Sequence, residues 1–195
     1  MLKKFVFLLI IWILIPFYCL GQEPLPEVTL EGSPFLEEFN QASGSIRIVG
    51  IFSPTCGHCL SACADLQQFL KEHPGADIQV FLLWSPYMGF DTEVTARRST
   101  RYLPDSRVTH YWDVWRFGSR GFAMLLDIPL LEAWDMYVVY TGEAEWADAP
   151  PLPRFWLQSR ELKKGIPYTP AELDSQLKAL LDETGGNKPE NQAAP

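Results

Sequence analysis

The sequence predicts an α/β fold in which helices flank a central sheet. Three observations carry this. Ile46 to Phe52 and Ile78 to Trp84 are almost uninterrupted apolar runs rich in β-branched residues, the pattern of strands buried on both faces. Between them, from Gly57 to about His73, Cys59, Cys63, Leu66, Phe69 and Leu70 fall on one helical face and Asp65, Gln68, Lys71 and Glu72 on another. The order then continues through a helical region, two further strands and a last helix.

The elements follow in chain order. Lys3 and Lys4 precede 16 uncharged residues, Phe5 to Leu20. A spanning helix needs ~20 apolar residues, so residues 1–21 are expected to be a signal peptide cut after Gly21, with an uncleaved membrane anchor as the alternative. Residues 22–34, acidic and Pro-rich, are expected to be a linker, and Phe35 to Ala42 a short helix. Ser53-Pro54-Thr55 breaks the first strand, and His73-Pro74-Gly75 ends the helix that follows it. Asp91 is expected to cap a helix from about Thr92 to Leu103, stopped by Pro104. Arg107 to Trp112 reads as a short strand and residues 114–127 as helix, weakened by Gly118 and Gly121. Trp134 to Tyr140 and Arg154 to Gln158 read as strands. Thr169 is the expected N-cap of the last helix, with Pro170 at its first position and Leu173, Leu177, Leu180 and Leu181 on its apolar face. Residues 184–195 are polar and expected to be a disordered tail.

The formal charge is −8. Loss of the leader removes Lys3 and Lys4 and takes it to −10. That sign argues against nucleic acid as a partner. Cys19 leaves with the leader, and the three remaining cysteines, Cys56, Cys59 and Cys63, lie within eight residues. A disulfide scaffold scatters its cysteines, so this cluster is a local chemical site.

Cys56 and Cys59 form a Cys-x-x-Cys pair at the switch from a buried strand to a helix. The unpaired N–H groups and positive dipole end of that helix favour a Cys56 thiolate. Protonated His58, between the two, adds to this. Cys59, one turn on, is within reach of a mixed disulfide on Cys56. The tetrapeptide Cys56-Gly57-His58-Cys59 matches that of protein disulfide isomerase domains, and Ile46 to His73 resembles the first half of a thioredoxin-like protein. The resemblance implies a thioredoxin-like fold over residues 35–183, a central mixed sheet flanked by helices, with a helical insert at 85–127 between the second and third core strands. It also implies an exported thiol–disulfide oxidoreductase, without a cofactor, acting on protein thiols or disulfides, with Cys56 as nucleophile, Cys59 as resolving thiol and a possible membrane redox partner.

Three positions depart from the family pattern. Thr55 stands where the family carries Trp. Gly50 stands where thioredoxins carry a buried carboxylate, for which Asp135 or Asp113 is the expected substitute. Ala133, Trp134 or Asp135 is expected opposite the cysteines in place of a cis-proline. Cys63 reads as a small buried helix residue. The alternative is a metal-binding or delivery protein holding copper, zinc or another thiophilic ion through Cys56, Cys59 and Cys63, assisted by His58 or His110. A third possibility is an interaction module with a static disulfide. His73 reads as a helix-end cation, Arg97, Arg98 and Arg101 as a solvated face, and the aromatic strands as core.

Overall fold

The computed structural model describes residues 23–29, 33–129, 132–160 and 164–185. The expected signal peptide, with Cys19, and residues 186–195 of the expected tail lie outside them. Among the described residues five helices and six strands follow in order: α1 (Pro34–Gln41), β1 (Ile46–Phe52), α2 (Gly57–Glu72), β2 (Ile78–Trp84), α3 (Glu93–Ser99), β3 (Val108–Trp112), α4 (Phe117–Leu125), β4 (Met136–Tyr140), β5 (Phe155–Gln158), β6 (Ile166–Pro167) and α5 (Pro170–Thr184). A 3-10 turn, Thr100–Tyr102, extends α3. Among the described residues no helix is long and apolar enough to cross a membrane.

The six strands form one mixed sheet in the order β3-β2-β1-β4-β5-β6. β1, β2 and β3 run parallel, and β4 joins β1 antiparallel. β1 is therefore central and covered on both sides, which is why all seven of its residues are buried. Its side chains alternate between two cores. Ile48 and Phe52 meet α2 and α5 on one face; Val49 and Ile51 meet α1 and α4 on the other. The second core is aromatic: Phe35 and Phe39 of α1 make edge contacts with Trp146, at ring centroid distances of 5.1 and 5.5 Å.

The helical insert between β2 and β4 also carries the short strand expected near Arg107 to Trp112. It supplies α3, α4 and the edge strand β3, which extends the parallel ladder beside β2. The edge of β3 is in turn covered by the stretch expected to be a linker: Trp112 N–H donates to Pro26 O and Val28 N–H to Trp112 O, both at 2.9 Å. Thr184 closes α5 before a left-handed Gly185, so the helix runs one residue into the expected tail.

Candidate active site

The parallel strands all end on one edge of the sheet, and the chemistry-bearing side chains gather there. After Phe52 the chain turns over Ser53-Pro54-Thr55, with Cys56 N–H donating to Ser53 O at 3.3 Å. Cys56 is the N-cap of α2 in an extended conformation (φ −79°, ψ 119°), and its carbonyl accepts the first helical bond from Leu60. Cys56 is 9% exposed, Cys59 is sealed and His58 is exposed. All three described cysteines are free thiols.

The two sulfurs are electrostatically unlike. The Cys56 thiol is lowered to about 6, first because the Cys59 thiol hydrogen-bonds its sulfur, then because the N–H groups of Cys59 and His58 face it; burial and the Asp135 charge oppose this. Cys59 is pushed far up, first by burial, then by donating its hydrogen bond to Cys56 and by the nearby charge of Asp135. The surroundings thus favour the ionised form on Cys56 and disfavour it on Cys59.

Asp135 is the third member. Its N–H continues the ladder to Ile51 O at 2.8 Å, and its carbonyl accepts from Ser159 N–H at 3.0 Å. Between these anchors its φ is +58°, a left-handed conformation that costs a non-glycine residue ~1–2 kcal/mol. The conformation aims the carboxylate at α2: Cys59 Sγ lies 3.5 Å from Asp135 Oδ1. The residue is 6% exposed, and burial raises its carboxyl above the ordinary value, against hydrogen bonds from Cys59 and Ser159 and the charges of His58 and Arg160.

Asp135 rather than Asp113 is thus the carboxylate at the cysteines. Asp113 is buried after β3, where it accepts the N–H groups of Phe117 and Gly118, the first two residues of α4, at 2.8 and 3.0 Å. Burial pushes it up to about 6. Gly50 has no room for the carboxylate that thioredoxins place there: an added Cβ would stand 2.5 Å from Leu82 Cδ1 and 3.2 Å from Tyr137 Cε1. Asp135 also precedes β4 where a cis-proline was expected to be replaced, and no cis peptide occurs among the described residues.

Cys63, one turn below Cys59, is fully enclosed beside Tyr137, and burial pushes its thiol far up. The ligand atoms of Cys56, Cys59 and Asp135 all lie within 4.8 Å of one another, a grouping that does not include Cys63. His110 is committed elsewhere: Trp84 Nε1 donates to its Nδ1 at 3.2 Å, and its Nε2 lies 3.1 Å from Leu103 O. These contacts fix the neutral tautomer protonated on Nε2.

Two features of the site were missed in the sequence. Asp91 does not cap α3. Thr92 does so, in a reciprocal box with Thr95, while the Asp91 carboxylate reaches the turn before Cys56. Beside Asp135, Trp134 stacks on Tyr87 with centroids 4.6 Å apart and planes 11° from parallel, and Arg160 and Arg116 cover the outer faces of the two rings.

A scan against protein-family models found none that matches, and a search of curated proteins found no match either. Solved structures do match. A thioredoxin-like protein in its oxidised form is 14% identical, covers 83% of this chain and 96% of its own, and has a TM-score of 0.52. A secreted Mycobacterium tuberculosis disulfide oxidoreductase is 14% identical, with 78% and 93% covered and a TM-score of 0.49. A thiol:disulfide interchange protein of the thioredoxin family from Chlorobium tepidum is 17% identical, with 82% and 97% covered and a TM-score of 0.49. At 14% identity the likeness to the first of these shows the fold. The chain has a thioredoxin-like fold, and on it a Cys-x-x-Cys pair, Cys56 and Cys59, opens α2 at the end of the central strand.

Proposed function

We propose that this protein is an exported thiol–disulfide oxidoreductase acting on protein thiols and disulfides. The observation that carries the reading is the asymmetry of the pair: one sulfur placed to be a thiolate near pH 6, the other held as a thiol against a buried carboxylate. In the reducing direction the Cys56 thiolate attacks a substrate disulfide, forming a Cys56–substrate disulfide and releasing one substrate thiolate. Cys59 then attacks Cys56 Sγ as its proton passes to Asp135. The Cys56–Cys59 disulfide forms, the mixed disulfide breaks, and the second substrate thiolate leaves; the substrate gains two electrons and the protein loses them. The oxidising direction is the reverse. His58, the residue between Gly57 and Cys59, is exposed on the first turn of α2. Met88 and Phe90, exposed on the loop that Asp91 ties to Thr55, offer an extended polypeptide an apolar surface. Export rests on the leader-like residues 1–21, and a membrane redox partner would turn the protein over.

Cys56, Cys59 and Asp135 also form the set closest to a thiophilic-ion site. One preparation separates the two readings. Equilibration of the mature protein with glutathione, read by alkylation and mass, is expected to give a reversible two-electron Cys56–Cys59 couple in protein free of stoichiometric metal. A protein isolated with one tightly held ion, its cysteines closed to alkylation, would overturn the redox reading.

A further inference from the structure

We propose that Asp91 is a positioning residue for the nucleophile: its carboxylate clasps the turn before Cys56 to the loop after β2, and so sets where Cys56 stands against the first N–H groups of α2. The inference rests on the redox reading of that site.

Five donors converge on this one side chain. Oδ1 accepts from Thr55 N–H at 3.2 Å and Thr55 Oγ1 at 2.5 Å. Oδ2 accepts from Ser53 Oγ at 2.8 Å, Tyr87 N–H at 2.8 Å and Met88 N–H at 2.7 Å. Two of the donors belong to Thr55, the residue immediately before Cys56. The turn's own closure is weak, a single 3.3 Å bond from Cys56 N–H to Ser53 O. Elsewhere it is held by Ser99 Oγ, which donates to Pro54 O at 2.8 Å, and by Ser85 N–H, which donates to Phe52 O at 2.9 Å. The segment from β2 through α3 is thus tied to the turn at several points, and Asp91 supplies most of the bonds.

The chemistry requires a carboxylate. Every partner is a donor, so both oxygens must accept. An amide offers one acceptor and turns its NH2 toward donors on the other side, which breaks either the Thr55 half or the loop half of the clasp. With the turn released, Cys56 Sγ no longer stays over the N–H groups of His58 and Cys59. Its thiolate then loses donors that reside in the helix itself.

The test compares wild-type mature protein, Asp91→Asn, the double variant Ser53→Ala/Thr55→Val, and Leu173→Ala, a core change in α5 that weakens the fold away from the turn. Each is assayed for iodoacetamide alkylation of Cys56 at pH 6, for its glutathione redox equilibrium and for its denaturation midpoint. Asp91→Asn is expected to slow alkylation about tenfold and to shift the redox equilibrium about tenfold toward the disulfide, about 30 mV more negative. The double variant is expected to do the same in part, and Leu173→Ala neither. Wild-type alkylation and equilibrium in a folded Asp91→Asn would overturn the proposal and leave Asp91 a structural clip. If Asp91→Asn does not fold, the double variant decides on the same terms. Failure of the wild-type protein to equilibrate with glutathione would instead sink the redox reading, and the alkylation rates would still decide the role of Asp91.

Discussion

Replacing Asp135 by Asn separates two roles of opposite sign. As a fixed charge, the carboxylate opposes ionisation of Cys59. At the observed 3.5 Å and an effective dielectric near 20, that repulsion amounts to ~5 kcal/mol before relaxation. If this were its whole effect, Asn would make Cys59 easier to ionise and would speed the resolving step. As a proton acceptor, the carboxylate removes the Cys59 proton while sulfur attacks, a contribution of typically 10²–10⁴-fold. Burial comes first among the causes that hold Cys59 up, and Asn leaves that burial intact. The free-thiolate route therefore stays closed in the variant, and loss of the acceptor decides the outcome. Resolution of a Cys56 mixed disulfide should slow ~10²-fold in Asp135→Asn. The pH dependence sharpens the test. Asp135 accepts only when ionised, so the wild-type rate should rise with pH through its raised carboxylate value, and the variant should lack that rise. The assay is rapid quench of the mixed disulfide with a small thiol-labelled peptide, followed by mass. A faster step in Asp135→Asn, or an unchanged pH profile, would refute the acceptor role.

Three further outcomes are expected. Cys59→Ser should accumulate mixed disulfides and Cys56→Ser should form none, while Cys63→Ala should keep exchange within about twofold, since its sulfur is enclosed and its thiol raised; a folded Cys63→Ala as inert as Cys56→Ser would make Cys63 a working thiol. Gly50→Ala should cost about 1–3 kcal/mol in denaturant melts, because the added Cβ would stand 2.5 Å from Leu82 Cδ1 in the central strand; an unchanged or raised stability would show that the space beside Leu82 opens. Asp113 and His110 should give stability opposed pH dependences. His110, pulled down to about 4 by burial, contributes fully above its free value of 6.5 and loses about 3 kcal/mol as pH falls from there toward 4. Asp113, pushed up to about 6, contributes fully below 3.8 and loses a similar amount, about 3 kcal/mol, as pH rises toward 6. Asp113→Asn should therefore make stability climb more steeply between pH 4 and 6 than in wild type, and equal slopes would refute this assignment.

The elements that were legible are those whose pattern is local. β1 and β2 fall at the expected residues because each is an apolar run between strong breakers, and α2 because its cysteines, leucines and phenylalanine share one face. β6 was missed: two residues, one of them Pro167, carry no alternation, and the strand exists only through its pairing with β5. The start of β4 was read two residues early because Trp134 and Asp135 continue the aromatic run, while the chain there enters a left-handed turn that only its neighbours impose. Cys56, His58 and Cys59 were legible as one motif. Asp135 was singled out only as one of two candidates, since its approach to Cys59 spans 76 residues. Asp91 was misassigned for a local reason. It stands beside Thr92, both are good caps, and nothing in the sequence says which one helix α3 will use.

Cleavage of a leader carrying Cys19 would leave an odd number of thiols, which in an oxidising space invites dimers and mispaired bridges. The placement of Cys63 disarms that hazard. Its sulfur lies inside the sheet–α2 core, so no collision partner reaches it while the helix is in place. Slow alkylation of Cys63 would then measure how often α2 lifts from the sheet, and the spare sulfur would serve as a built-in gauge of local opening.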